Sequence, residues 1–320
     1  MSRRRNRGLT ATLAVVALAS LALSVSAVGT IAGVRKPAPP PTGETFPPLT
    51  NCPIFPASNV WNRPVTGLPV AGNSATMNAA IGSAVGLHPD FSDASRYGIP
   101  FNIVGPSTPR STVSFLYDDE SDHVGYPIPA APIQERASDH HILMVDTTAC
   151  RLYELFDAAK KGTWTAGSGA TWNLASNALR PDTWTSADAA GLPIFPALAR
   201  IDETRSGEIR HALRFTAPTT CNGYIYPARH EAGSTSCASY PPMGLRVRLK
   251  ATVNIAGFAP DVRVLLQAMK TYGMLLADNG SAWFISGAPD ARWNDTVMHT
   301  MNQIHGSDFE VVDTTGFVNG

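Results

Sequence analysis

Apolar residues are densest between Ser138 and Ala158, in the run SDHHILMVDTTACRLYELFDA. Val, Ile, Leu, Tyr and Phe suit a pleated surface, so the run predicts strands at residues 140–146 and 150–157 with a turn at 147–149. A three-residue turn puts Ile142, Met144, Leu152 and Phe156 on one face and Leu143, Val145, Tyr153 and Leu155 on the other. Both faces are apolar, so the hairpin is expected to be central and covered on both sides. Further strands are predicted at 112–117, 208–216, 224–230, 245–250 and 309–312. Within 208–216, Ile209, His211, Leu213 and Phe215 share one face and Arg210, Ala212 and Arg214 the other. Asn279–Gly280, between apolar runs at 274–277 and 282–286, is a strong hairpin signal.

Helical spacing is rarer. A short helix is expected at 74–81. Residues 261–272 repeat Val262, Leu265, Leu266 and Met269 at helical intervals and stop before Gly273, a C-terminal cap position. A second late helix is expected at about 289–305, ending at Gly306. Residues 162–192 read as a long loop carrying Trp164, Trp172 and Trp184, and such loops are commonly functional. Residues 192–201 are apolar but hold Pro193 and Pro196, which fits a buried irregular or edge segment. Many strands with few helices predict a mainly β protein, a jelly-roll-like β-sandwich with two helices near the C-terminus.

The start of the chain is organised differently. Arg3, Arg4, Arg5 and Arg7 precede an apolar stretch at 9–27 that closes with Val25, Ser26 and Ala27, small residues suited to signal peptidase. Residues 1–27 therefore read as a signal peptide and the protein as secreted, to the medium or the cell surface. The alternative is an uncleaved anchor, because the apolar run continues to Val34 and about 20 residues span a bilayer; only then is membrane association expected. Without a cysteine near Ala27, a lipoprotein anchor is excluded. Residues 28–50 form a Pro-rich linker, and 51–320 are most simply one domain.

The whole chain carries 25 basic and 25 acidic residues. Removing the four N-terminal arginines leaves acids in excess, with no basic stripe for a phosphate backbone, so nucleic acid is not an expected partner. Export makes the four cysteines two disulfides. Cys221–Cys237 with Cys52–Cys150 is the favoured pairing among the three available, the first closing a local loop worth about 3 kcal/mol in the chain-entropy model.

Candidate chemistry begins with His140, His141 and Glu154, polar residues inside the apolar hairpin. A three-residue turn sets His140 diagonal to Glu154, whereas a turn one residue longer or shorter brings His141 there, since a slip in register swaps faces. Either pair is a proton-transfer couple or a structural contact. His211 with Arg210 and Arg214, and Arg229–His230–Glu231 with Tyr224 and Tyr226, add the cation, base and acid types that β-elimination of a uronic acid polymer needs. Trp164, Trp172 and Trp184 offer flat faces for sugar rings or, equally, a loop-pinning cluster. A glycosidase needs two carboxyls about 5–9.5 Å apart. Glu154 has no such partner within the hairpin, which leaves Asp188, Asp202, Glu203 and Asp278, among which the sequence does not choose. The acidic loop 118–122 lacks the spacing of a calcium loop and reads as solvated surface. No metal or cofactor is expected, and serine-hydrolase, nucleotide-binding and zinc-protease motifs are absent.

The runs GSGATWNLASNALRPDTWTSADAAGLPIFPALARIDE, GEIRHALRFTAP, YPARH, PPMGLRVRLKA and YGMLLADNGSAWFISGAPDARW resemble a family of exported bacterial proteins. The likeness spans about residues 51–315 and implies export, but transfers no catalytic residue. In strand pattern alone the chain is similar to jelly-roll polysaccharide lyases and glycosidases, an analogy of fold that does not fix function. Together these readings lead to a secreted carbohydrate-active protein, a polysaccharide lyase or glycoside hydrolase on an extracellular polysaccharide, the alternative being a non-catalytic carbohydrate-binding or cell-surface protein. The candidate catalytic residues are His140, His141, Glu154, His211, Arg229 and His230. The candidate binding residues are Trp164, Trp172, Trp184 and Tyr226.

Overall fold

The computed structural model describes residues 52–320. The signal peptide, its alternative as an anchor and the Pro-rich linker lie outside the described residues. The elements in order are α1 (Ser74–Ile81), β1 (His88–Asp90), β2 (Phe101–Val104), β3 (Val113–Phe115), β4 (Ile142–Asp146), β5 (Arg151–Phe156), β6 (Ala159–Lys161), β7 (Thr163–Ala166) and β8 (Ser168–Asn173). There follow α2 (Ile201–Ser206), β9 (Leu213–Ala217), β10 (Arg246–Leu249), α3 (Pro260–Thr271), β11 (Met274–Asn279), β12 (Phe284–Ser286), α4 (Asp295–Met298) and β13 (Phe309–Val311). Three sheets result, ordered β1-β12-β9-β11-β10-β13, β2-β4-β5-β8 and β3-β7-β6. The protein is mainly β, in several sheets with a few short helices. Four pairings are parallel (β1 with β12, β9 with β11, β2 with β4, β3 with β7), a departure from the antiparallel wiring of a jelly roll.

The β4–β5 hairpin is central, as its two apolar faces require. Ile142, Met144, Tyr153 and Leu155 pack with Val113, Tyr126 and Ala166 beneath the small sheet. Leu143, Val145 and Leu152 join the main core with Leu213, Phe215, Leu276 and the α3 residues Val262, Leu265, Leu266 and Met269. The register differs from a three-residue turn by one. Asp146 pairs with Arg151, so the turn is the four residues Thr147 to Cys150, and Leu152 and Tyr153 exchange faces relative to the expectation. The cause is local. Asp146 Oδ1 accepts from the amides of Thr148 and Ala149, and Cys150 takes a left-handed φ of 51° while bonded to Cys52. Asp146 thus builds an Asx-type turn that absorbs the extra residue.

The helix at Ser74–Ile81 matches its prediction, and the α3 helix starts one residue early on Pro260, the position proline favours. Gly273 ends α3 with φ 71°. Elsewhere long-range pairing overrides local pattern. Asn279–Gly280 does not make a hairpin, because β9 lies between β11 and β12, parallel to one and antiparallel to the other. Residues 224–230 form a turn rather than a strand, with one isolated bridge from Tyr224 to Met243; Pro227 supplies no amide for a ladder. The expected loop at 162–192 is loop only beyond β8, and the late helix shortens to α4 plus a 3₁₀ turn at His299–Gln303. Both disulfides, Cys52–Cys150 and Cys221–Cys237, are formed and no cysteine is free. Two closed bridges with no free thiol fit an oxidising, extracellular environment. Among the described residues no helix is long and apolar enough to cross a membrane.

Candidate functional site

A cleft of about 370 Å³ opens where the ends of β5 and β11 meet the loops at 117–120, 185–189 and 230–232. Its chemistry comes from Glu120, Asp139, Asp188, His230 and Asp278, with Tyr117 and Phe156 as aromatic walls. Asp278 is aimed by a bulge. Leu276 pairs with Phe215 and Asp278 with Thr216, so Ala277 is an extra residue that bends β11. The freed Ala277 carbonyl accepts from the Ala190 amide, which draws residues 188–190 against the strand end and sets Asp188 beside Asp278.

Arg214 of β9 holds the two acids. Its Nε and Nη2 donate to Asp188 Oδ2 and Oδ1 at 3.1 and 2.8 Å, Nη1 donates to Ser286 Oγ, and Nη2 lies 3.6 Å from Asp278 Oδ2. Asp188 is sealed from solvent, whereas the Asp278 side chain is 24% exposed to the cleft. Burial first, and the Asp188 charge second, push the Asp278 carboxyl up to about 7.

Beneath this pair runs a buried polar layer. His141 Nδ1 faces Glu135 Oε2 at 2.5 Å and Nε2 faces the Ala187 carbonyl at 2.9 Å. Both partners are acceptors, so both ring nitrogens carry hydrogen and the ring is an imidazolium. Burial opposes that charge, but Glu135 outweighs it and holds His141 at about 9. Glu154 is fully buried and accepts from the amides of Ile194 and Phe195. Burial outweighs those bonds and raises it to about 7. Four carboxyls (Glu135, Glu154, Asp188, Asp278) thus share a layer with two cations, His141 and Arg214. With Glu154 and Asp278 raised to about 7, both hold protons below that pH, which reduces the excess of negative charge in the low dielectric.

The residues expected from sequence separate. The one-residue shift in register makes His141 the neighbour of Glu154, and His140 turns out to solvent with φ 46°. His211 is sealed elsewhere, its Nδ1 donating to the Ala212 carbonyl and its Nε2 accepting from Arg200 beside Glu203. Its place is structural, and it does not converge with the other imidazoles. Arg229 pairs with Asp182 and donates to the Arg180 carbonyl, bracing a loop. His230 does enter the cleft. Nδ1 lies 2.9 Å from the Ala189 carbonyl, and Nε2 lies 3.8 Å from Glu120 Oε2.

None of the three tryptophans lines the cleft. Trp172 and Trp184 enclose the Arg180 guanidinium at 5.8 and 5.5 Å, and Trp164 packs on the small sheet beside Lys160. Trp172 and Trp184 meet at Arg180 as a loop-pinning cluster would, and Trp164 stands apart from them. Tyr226 serves the C-terminus, its hydroxyl accepting from the Asn319 amide. Of the four carboxyl partners considered for Glu154, Asp202 binds Arg292 at the surface and Glu203 binds Arg200, while Asp188 and Asp278 are the two at the cleft. The loop at 118–122 is more than solvated surface, since Glu120 accepts from the Thr185 amide and lines the cleft. Glu135, Asp139, Tyr117 and Phe156 escaped the sequence reading; their only local signal is polarity or aromaticity at a strand end.

A second hollow, of about 280 Å³, lies near Asp202 and Asp290, but Arg292 already engages both acids. Among the described residues no three His, Cys, Asp or Glu side chains gather as a metal site. No family model, curated protein or solved structure matches this chain.

Proposed function

We propose that the cleft is the active site of a secreted glycoside hydrolase acting on an extracellular polysaccharide without uronic acids. The observation that carries this is the placement of Asp278, a carboxyl open to the cleft beside the sealed Asp188, where burial and the neighbouring charge raise it to about 7, as suits the general acid of glycoside cleavage. Asp278 protonates the departing glycosidic oxygen. His230, whose Nε2 lies near Glu120, serves as the base that takes a proton from the attacking water. Tyr117 and Phe156 supply the faces on which sugar rings stack.

Charge decides between hydrolysis and elimination. The cleft side chains bring Glu120, Asp139, Asp188 and Asp278 against one histidine. The Arg214 guanidinium is already shared by Asp188 and Asp278, and Arg180 is held by Asp122 and the Glu120 carbonyl. A uronate would meet an excess of acidic side chains with the neighbouring guanidiniums already engaged, so β-elimination is disfavoured. The N-terminal signal and the two disulfides support export. We read the stacked sheets as a β-sandwich, with the jelly roll kept as a loose analogy. The test is to incubate the disulfide-intact protein with neutral, amino-sugar and uronate glycans. New reducing ends from a glycan lacking uronate are expected. Unsaturated products point instead to a lyase, and retention of glycan without cleavage to a binding module.

A further inference from the structure

We propose that His141, clamped between Glu135 and the Ala187 carbonyl, is a positioning residue that fixes the cleft floor and keeps a positive charge behind Asp188 and Asp278 at neutral pH. The proposal rests on the hydrolase reading for its catalytic meaning, though not for its physical content. The clamp ties the start of β4 to residues 187–188, which form the floor. Its Glu135 end is doubled, because the same carboxylate oxygen also accepts from the His141 amide and the Glu135 amide donates to the His141 carbonyl. The Phe156 ring stands 5.7 Å from the imidazole and excludes water from one side.

Charged groups from several elements act on this ring. Glu135 from the preceding segment bonds it, while Glu154 from β5, Asp188 from the floor, Arg214 from β9 and Asp278 from β11 interact with it electrostatically, and Asp90 of β1 interacts in turn with Glu135 and Arg214. Arg214 opposes the imidazolium and Glu135 sustains it. The His141 charge in turn lowers Glu154, Asp188 and Asp278 against the burial that raises them. Without it, an acid in this layer would hold its proton into alkaline solution and lose strength as a donor. His141 therefore tunes Asp278 near neutrality without touching substrate.

The experiment follows the carboxyl ¹³C resonance of Asp278 against pH in the full disulfide-bonded protein, for wild type, His141→Gln and Glu135→Gln. Glutamine at 141 keeps one hydrogen bond and removes the charge. Glu135→Gln keeps the ring and removes what holds its second proton. In His141→Gln the Asp278 midpoint is expected to rise by about one unit, and in Glu135→Gln by less, because that change removes an anion along with the imidazole proton; the alkaline limb of glycan hydrolysis is expected to move with the midpoint. A loss of melting temperature with an unmoved midpoint in the folded variants overturns the proposal. So does a ¹⁵N spectrum of the wild type showing a neutral His141 ring at pH 7.5, a measurement that needs no variant. If no glycan is cleaved while the midpoints move, the hydrolase reading fails and the role of His141 stands.

Discussion

Glu154→Gln isolates the energetic consequence of a buried acid. The wild-type carboxyl is wholly enclosed and titrates at about 7 instead of its ordinary 4.5. Between those values the folded protein keeps a proton that the unfolded chain has released, so stability falls as pH rises through this window. At about 1.4 kcal/mol per unit, the loss from Glu154 is on the order of 3 kcal/mol by pH 7.5. Glutamine retains an oxygen for the Ile194 and Phe195 amides but cannot ionise, and its NH₂ group needs a new acceptor, at a cost of about 1–3 kcal/mol. The variant is thus expected to melt below wild type at pH 5 and to close or invert that gap at pH 7.5. About 0.8 kcal/mol of that loss has already occurred at pH 5, so with about 2–4 °C per kcal/mol for a chain of this size the gap should change by roughly 5–10 °C between the two pH values. Thermal melts of both proteins at the two pH values measure it. A gap that stays constant across the window would refute the claim that Glu154 is buried protonated.

The remaining expectations follow from the same geometry. Asp278→Asn should fold normally and lose about 10²–10⁴-fold in glycan turnover, read by reducing-end release; wild-type turnover should fall as pH rises through about 7, where Asp278 deprotonates. Tyr117→Ala should raise KM several-fold at little change in kcat, whereas Trp164→Ala, remote from the cleft, should leave both parameters alone; steady-state kinetics on one glycan compares them. Replacing Cys52 and Cys150 by Ala releases a closure spanning 98 residues against 16 for Cys221–Cys237, so the first pair should cost more, about 4–5 against 3 kcal/mol, in the unfolding free energy. His141, held at about 9 against an unfolded 6.5, adds stability that is full below pH 6.5 and lost as pH rises to about 9. Melts between pH 7.5 and 9.5 should therefore fall more steeply in wild type than in His141→Gln.

The sequence by itself determined whatever depends on neighbours along the chain. The apolar faces of residues 142–155 dictated a hairpin covered on both sides, helical spacing with Pro260 and Gly273 bounded α3, and the closeness of Cys221 to Cys237 favoured one disulfide. It also held the identity of His141 as the partner of Glu154, conditional on one number, the length of a turn. That number was decided by the bonds of Asp146 to two amides and by the remote anchor Cys52. Tertiary structure alone decided the rest. The insertion of β9 between β11 and β12 undid a hairpin that Asn279–Gly280 advertised. The same arrangement carried Arg214 to Asp188 and Asp278, 26 and 64 positions apart from it in opposite directions along the chain. A carboxyl becomes an acid that keeps its proton only when distant elements bury it beside another charge. Burial and charge proximity are properties of the packed chain, and no local pattern of residues encodes them.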